Sequence, residues 1–128
     1  MFLGLVLTSL LGMNFGEALE HGKINNKWVF VYFTSNDCPY CVKLKNETFS
    51  EHTINKELSQ YIYLEINISN DRTIYNLFKQ LFSQTNFNQQ GLIPSYYMIN
   101  PHTKKFYRWG YGFKDSNKFI DWLKTNKN

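Results

Sequence analysis
The run WVFVYF, Trp28 to Phe33, is apolar at each position and constrains the fold more than any other stretch of the chain. A strand with one wet face alternates apolar and polar side chains, whereas a strand covered on both faces reads as a continuous hydrophobic run. The run therefore predicts a central strand in a sheet with helices above and below it. With 128 residues, 43% hydrophobic and 18% aromatic, the chain is long enough for one compact domain with a core of this kind.

The remaining elements follow from periodicity and turn chemistry. FGEALEHGK, Phe15 to Lys23, reads as a short helix, stopped by Gly22 and turned by Asn25-Asn26. Pro39 suits the first turn of a second helix, where no N–H is needed, and that helix is expected to run through Phe49. YIYLEIN, Tyr61 to Asn67, puts Ile62, Leu64 and Ile66 on one side and reads as a strand. Ile74, Leu77, Phe78 and Leu81 are spaced i, i+3, i+4, i+7, which predicts an amphipathic helix over Arg72–Phe82, with a polar loop over Ser83–Gly91. SYYMI and KFYRWGY flank the turn cluster Asn100-Pro101-His102-Thr103, as in an antiparallel hairpin. A last helix over Ser116–Lys124 carries Phe119, Trp122 and Leu123 on one face. Two strands joined through a helix lie parallel, so the expected α/β architecture is a mixed central sheet flanked by helices, with an antiparallel C-terminal hairpin.

The first residues, MFLGLVLTSLLG, form an apolar run too short to span a bilayer but of the size of a signal-peptide core. Residues 1–13 are accordingly read as a signal peptide or hydrophobic N-terminal segment, and residues 14–128 as the domain. The run lacks a preceding Lys or Arg, so a cytoplasmic location stays open beside export. The formal charge is +4, but the lysines are scattered and no basic block interleaves with aromatics, so no nucleic-acid partner is expected.

The chain has two cysteines, Cys38 and Cys41, in TSNDCPYCVKL directly after the apolar run. Two thiols cannot make a disulfide scaffold, and zinc needs four ligands. His21, His52 and His102 have no partner spacing suited to a metal and are read as exposed or turn residues, so no metal is assigned. A structural staple closing so small a loop would restrain little of the unfolded chain. Residues i and i+3 at a helix start lie close enough for a disulfide to form and break in place. Cys38 then sits where unpaired N–H groups favour an anion, while Cys41, on a stripe with Leu44 and Thr48, looks inward. The expected chemistry is attack by the Cys38 thiolate on a substrate disulfide, followed by resolution of the mixed disulfide by Cys41. Lys43 and Lys45 read as a solvated helix face.

The strand, the motif Cys38-Pro39-Tyr40-Cys41 at a helix start, Ile93-Pro94 before a strand, and a hairpin followed by Gly110-Tyr111 and a final helix together resemble the thioredoxin fold. More narrowly, GEALEHGKINNKWVFVYFTSNDCPYCVKLKNETFS, Gly16 to Ser50, is similar to exported bacterial thioredoxin-related proteins and to the C-terminal reducing domain of the membrane reductase DsbD. The resemblance implies a thiol–disulfide oxidoreductase that reduces protein disulfides and needs no cofactor beyond its redox-active Cys38–Cys41 disulfide. It also implies a cis Pro94 which, with the Ile93 backbone, would bind an extended substrate segment. The Pro39-Tyr40 dipeptide would tune the potential, expected between roughly −270 and −200 mV. The implied setting is the periplasm, free or membrane-anchored, with a monomeric protein recharged by an upstream thiol reductant, either a membrane reductase or glutathione.

The chain also departs from that pattern. Tyr32 stands where thioredoxins carry a buried Asp, and Asp37 stands where a Trp usually precedes the first cysteine. Pro-Tyr is the glutaredoxin dipeptide, which makes a glutathione-dependent reductase the alternative enzyme. A non-enzymatic binding or chaperone module using the aromatic hairpin is the alternative outside catalysis.

Overall fold
The computed structural model describes residues 14–70, 76, 80 and 93–124. Its four strands, β1 (Val29–Thr34), β2 (Ile62–Asn67), β3 (Ser95–Ile99) and β4 (Phe106–Tyr111), form one sheet in the order β2-β1-β3-β4. β1 is parallel to β2 and antiparallel to β3, and β3 and β4 form the antiparallel hairpin. The mixed sheet expected from the sequence is thus present, with the apolar run as one of its two inner strands.

Both faces of β1 are covered, as its lack of alternation required. Val29, Val31 and Phe33 join Leu64, Ile66, Tyr97 and Ile99 under Ala18 and Leu19 of the first helix, α1 (Phe15–Asn25). Phe30 and Tyr32 enter the second cluster, which holds Cys38, Cys41, Leu44, Phe49 and Phe119. The candidate site therefore grows out of the second face.

Several boundaries differ from expectation for local reasons. In α1, Asn14 and Glu17 form a reciprocal capping box, with Glu17 N donating to Asn14 Oδ1 at 2.8 Å and Asn14 N to Glu17 Oε1 at 3.0 Å. Gly22 does not stop this helix. The stop is Asn26, left-handed at φ 53°, and Lys27 N closes the end by donating to Gly22 O at 2.9 Å. Gly22 is needed instead for close approach, since a Cβ there would lie 2.6 Å from Lys27 O and 3.0 Å from Pro101 Cβ. Gly22→Ala is expected to destabilise the fold by about 1–3 kcal/mol, because the clash outweighs the gain in helix propensity. A lowered urea midpoint at unchanged slope is the readout.

The helix opened by Pro39 reaches Phe49, but only its first part is α-helical. α2 (Pro39–Lys43) passes directly into a π-helical segment, Leu44–Phe49. A further helix, α3 (His52–Leu58), follows where none was expected, capped by the Glu51 side chain accepting from Thr53 N and Ile54 N. The last helix, α4 (Ser116–Lys124), starts and ends where periodicity placed it. Of the helix expected over Arg72–Phe82, the structure describes Asn76 and Gln80, both helical. The loop over Ser83–Gly91 and the apolar run of residues 1–13 lie outside the described residues. Among the described residues, no helix is long and apolar enough to cross a membrane.

Candidate active site: the Cys38–Cys41 pair
The loop after β1 delivers Cys38 to the start of α2, where it is the capping residue. Its Sγ accepts the Cys41 N–H at 3.1 Å, and its carbonyl accepts the N–H groups of Cys41 (3.1 Å) and Val42 (3.2 Å). Pro39 fills the next position, where a missing N–H costs nothing. The two sulfurs are bonded to each other across a Cα–Cα distance of 5.2 Å. The pair is asymmetric: Cys38 keeps 7% of its surface and Cys41 1%. Tyr40 and Val42 stand exposed on the outer side, whereas Cys41, Leu44 and Thr48 face inward on the expected stripe.

Tyr32 lies beneath the pair, fully buried, and its hydroxyl donates to the Cys41 carbonyl at 2.8 Å. Burial first, and the negative charge of Glu65 second, raise this phenol well above its ordinary value, so it serves as a neutral donor. Its neighbour on β3, Tyr96, is raised likewise, by burial and then by Tyr32. Tyr96 donates to Gly112 O at 3.1 Å and accepts from Lys114 Nζ at 2.8 Å. Tyr32→Phe is expected to cost about 1 kcal/mol, because it removes a buried hydrogen bond from the Cys41 carbonyl, which keeps the Leu44 N–H as a donor. Urea unfolding of the disulfide form measures that loss directly.

The two lysines after the motif are more engaged than a solvated face. Lys43 Nζ lies 4.5 Å from the centre of the Phe113 ring, and Lys45 Nζ pairs with Glu65 Oε2 at 3.0 Å. Thr48 Oγ1 donates to Lys114 O at 2.6 Å. Two contacts, Lys43–Phe113 and Thr48–Lys114, therefore tie the motif helix to the loop after β4.

The Ile93–Pro94 peptide bond is cis. Pro94 is buried and its carbonyl accepts Gly112 N–H at 2.8 Å, while Ile93 packs against the cluster that contains both cysteines. Cys38, Pro39, Tyr40, Cys41 and Ile93 are thus brought to one region, with Pro94 adjoining. Asp37, His21, His52 and His102 are exposed. Among the described residues, no group of His, Cys, Asp and Glu is placed to hold a metal ion.

Two residues of this region were not legible as parts of a site. Tyr32 reads in the sequence only as one more apolar-run residue or as a missing Asp. Glu65 is the polar interruption in YIYLEIN, and only the strand register puts it beside Tyr32.

A bonded, asymmetric cysteine pair at the start of the helix that follows an inner strand of a mixed sheet defines a thiol–disulfide oxidoreductase. The model of the thioredoxin-like domain family matches residues 15–127. The chain belongs to that family. Similar solved structures include a thioredoxin from Thermus thermophilus, 18% identical at a TM-score of 0.65, covering 85% of this chain and 80% of that one. The oxidised C-terminal domain of DsbD from Neisseria meningitidis is 19% identical at a TM-score of 0.65, covering 94% and 96%. An oxidoreductase named DsbH is 17% identical at a TM-score of 0.62, covering 86% and 81%. Among curated proteins, no significant sequence match is found.

Proposed function
We propose that this oxidoreductase reduces protein disulfides by a mixed-disulfide mechanism in which Cys38 attacks and Cys41 resolves. The observation that carries the reading is the asymmetry of the pair. Cys38 is the more exposed residue of the pair and its sulfur already accepts a helix-start N–H, so a thiolate there would keep that donor. Cys41 lies behind it, held through its carbonyl by Tyr32, at the distance needed to close on Cys38. Attack breaks the substrate S–S bond, forms a Cys38–substrate bond and releases one substrate thiolate. Closure by Cys41 then forms the Cys38–Cys41 bond and releases the second.

Ile93 and Pro94 would present the substrate segment, with exposed Tyr40 as a neighbouring apolar contact. The DsbD-type likeness, and the signal-type run of residues 1–13, support action outside the cytoplasm with a dedicated thiol reductant upstream. Expression of Cys41→Ser, followed by identification of what remains bonded to Cys38, tests the reading. Recovery of protein partners is the expected result. Recovery of glutathione alone would replace protein reduction with a glutathione-dependent activity.

A further inference from the structure
A cavity of about 100 Å³ is lined by Trp28, Tyr61, Met98, Tyr107, Arg108 and Leu123. Trp28 immediately precedes β1 and Cys38 follows it, so the six residues of that strand set the cavity about 20 Å from the cysteine end of the sheet. Met98 pairs with Arg108 but Ile99 with Phe106, which makes Tyr107 the extra residue of a β-bulge in β4. Successive side chains of a regular strand leave on opposite faces, whereas here Tyr107 and Arg108 both line the cavity. The bulge thus adds a cation to a wall otherwise made of three aromatic rings, Met98 and Leu123.

The Arg108 guanidinium lies 5.3 Å from the centre of the Tyr107 ring and 5.5 Å from that of Trp122, and its Nη1 donates to the Trp122 carbonyl. Among the described residues, no carboxylate pairs with it. A guanidinium carries five N–H donors, so donors remain for an incoming anion. The chain neighbours of the lining residues add charge of the same sign. Exposed Lys27 precedes Trp28, exposed Lys104 and Lys105 precede the bulge, and exposed Lys124 follows Leu123. Against them stand Glu57, buried with Oε2 accepting from Tyr61 OH at 3.2 Å, and Asp121 on the exposed side of α4. The balance stays positive.

Size and charge together narrow the ligand. Sites for whole small molecules run to about 300–1,000 Å³, and an apolar cavity of about 150 Å³ takes a benzene. A cavity of about 100 Å³ therefore fits one aliphatic side chain of leucine size. A single terminal carboxylate would meet Arg108 but leave the flanking lysines without a counter-charge, whereas an acidic segment meets both. We propose that this cavity docks an acidic segment of a partner protein, with one aliphatic side chain in the cavity and a neighbouring carboxylate on Arg108. None of the residues assigned to disulfide chemistry takes part, so a partner held here leaves Cys38 free to react.

The test titrates the isotope-labelled full chain with the peptide acetyl-Asp-Glu-Leu-Glu-Asp-amide and follows its backbone amide resonances. Saturable shifts centred on Trp28, Tyr107 and Arg108 are expected, with an affinity that falls as salt is raised. Serine in place of the peptide's leucine is expected to weaken binding about tenfold, because the aliphatic group no longer leaves water. The neutral peptide acetyl-Asn-Gln-Leu-Gln-Asn-amide loses on the order of tenfold or more. Arg108→Gln loses on the order of tenfold toward the acidic peptide and little toward the neutral one. Equal binding of the leucine and serine peptides overturns the proposal, since charge attraction alone would then account for it. So does the absence of saturable shifts. Both peptide comparisons use the unaltered protein, so they decide the matter even where Arg108→Gln fails to fold. Shifts centred on the cysteine motif, binding to phosphatidylglycerol vesicles but not to the peptide, or binding only once residues 125–128 are removed would also overturn it. Those outcomes would assign the peptide to the substrate region, the basic end to a lipid surface, or the cavity to the chain's own end.

Discussion
Cys38→Ser is expected to reduce insulin disulfides no faster than the uncatalysed background. A serine hydroxyl is not ionised at neutral pH and cannot form the mixed disulfide, so the first bond is never made. The loss should be complete, because Cys41 is buried beneath the helix start and cannot substitute for the missing sulfur. The same variant should fold normally, since the pair closes a loop of only three residues' separation and contributes little through chain entropy. Activity measured by insulin turbidity and folding measured by circular dichroism together decide the point. A folded Cys38→Ser protein that still reduces insulin would break the assignment of the attacking sulfur. Full biological activity in that variant would favour the binding-module alternative.

Phe30→Ala should be the most damaging single change to the core away from the cysteines. The Phe30 ring is wholly buried on the motif side of β1. It meets Tyr63 at 5.8 Å, Phe49 at 5.9 Å, Phe119 at 6.1 Å and Trp122 at 6.1 Å between ring centres. These partners come from β2, the π-helical segment and α4, so the vacated volume cannot be filled by shifting one element alone. Truncation of such a residue costs about 3–5 kcal/mol, through lost transfer energy plus the cavity left behind. Against a typical domain stability of about 5–15 kcal/mol, this is a large share. Urea unfolding is the measurement, and a loss under about 1 kcal/mol would mean that β1 is not where these layers are joined.

The parts of this molecule that are legible in its sequence are those set by local pattern. Trp28 to Phe33 announces a doubly covered strand through its missing alternation, and the span of α4 follows from Phe119, Trp122 and Leu123 at helical spacing. The motif helix is placed by Pro39. α3 is hidden because only Ile54 and Leu58 repeat at helical spacing, while the third inward residue is Glu57, buried with an oxygen accepting from Tyr61 OH. The i, i+4 pair Ile54 and Leu58 was the available signal. Gly22 misleads because the residue that favours helix ends is here required by the close approach of Lys27 and Pro101, a tertiary fact. For the site, the cysteines and their dipeptide are evident from spacing alone. The contacts of Tyr32 and Glu65 are not, since they depend on which residues of separate strands stand opposite each other.

The change from α- to π-helical winding at Leu44 sets the phase of everything beyond it. An α-helical residue advances about 100° around the axis, and a π turn takes in one residue more than an α turn. The extra residue lets Thr48 reach the Lys114 carbonyl while Phe49 meets Tyr32 at 5.0 Å between ring centres. Deleting a single residue between Leu44 and Phe49 would rewind this stretch and swing either the hydroxyl or the ring out of place. Chain length here is consequently as fixed as residue type, and loop-swapping designs should graft the motif together with the whole span to Phe49.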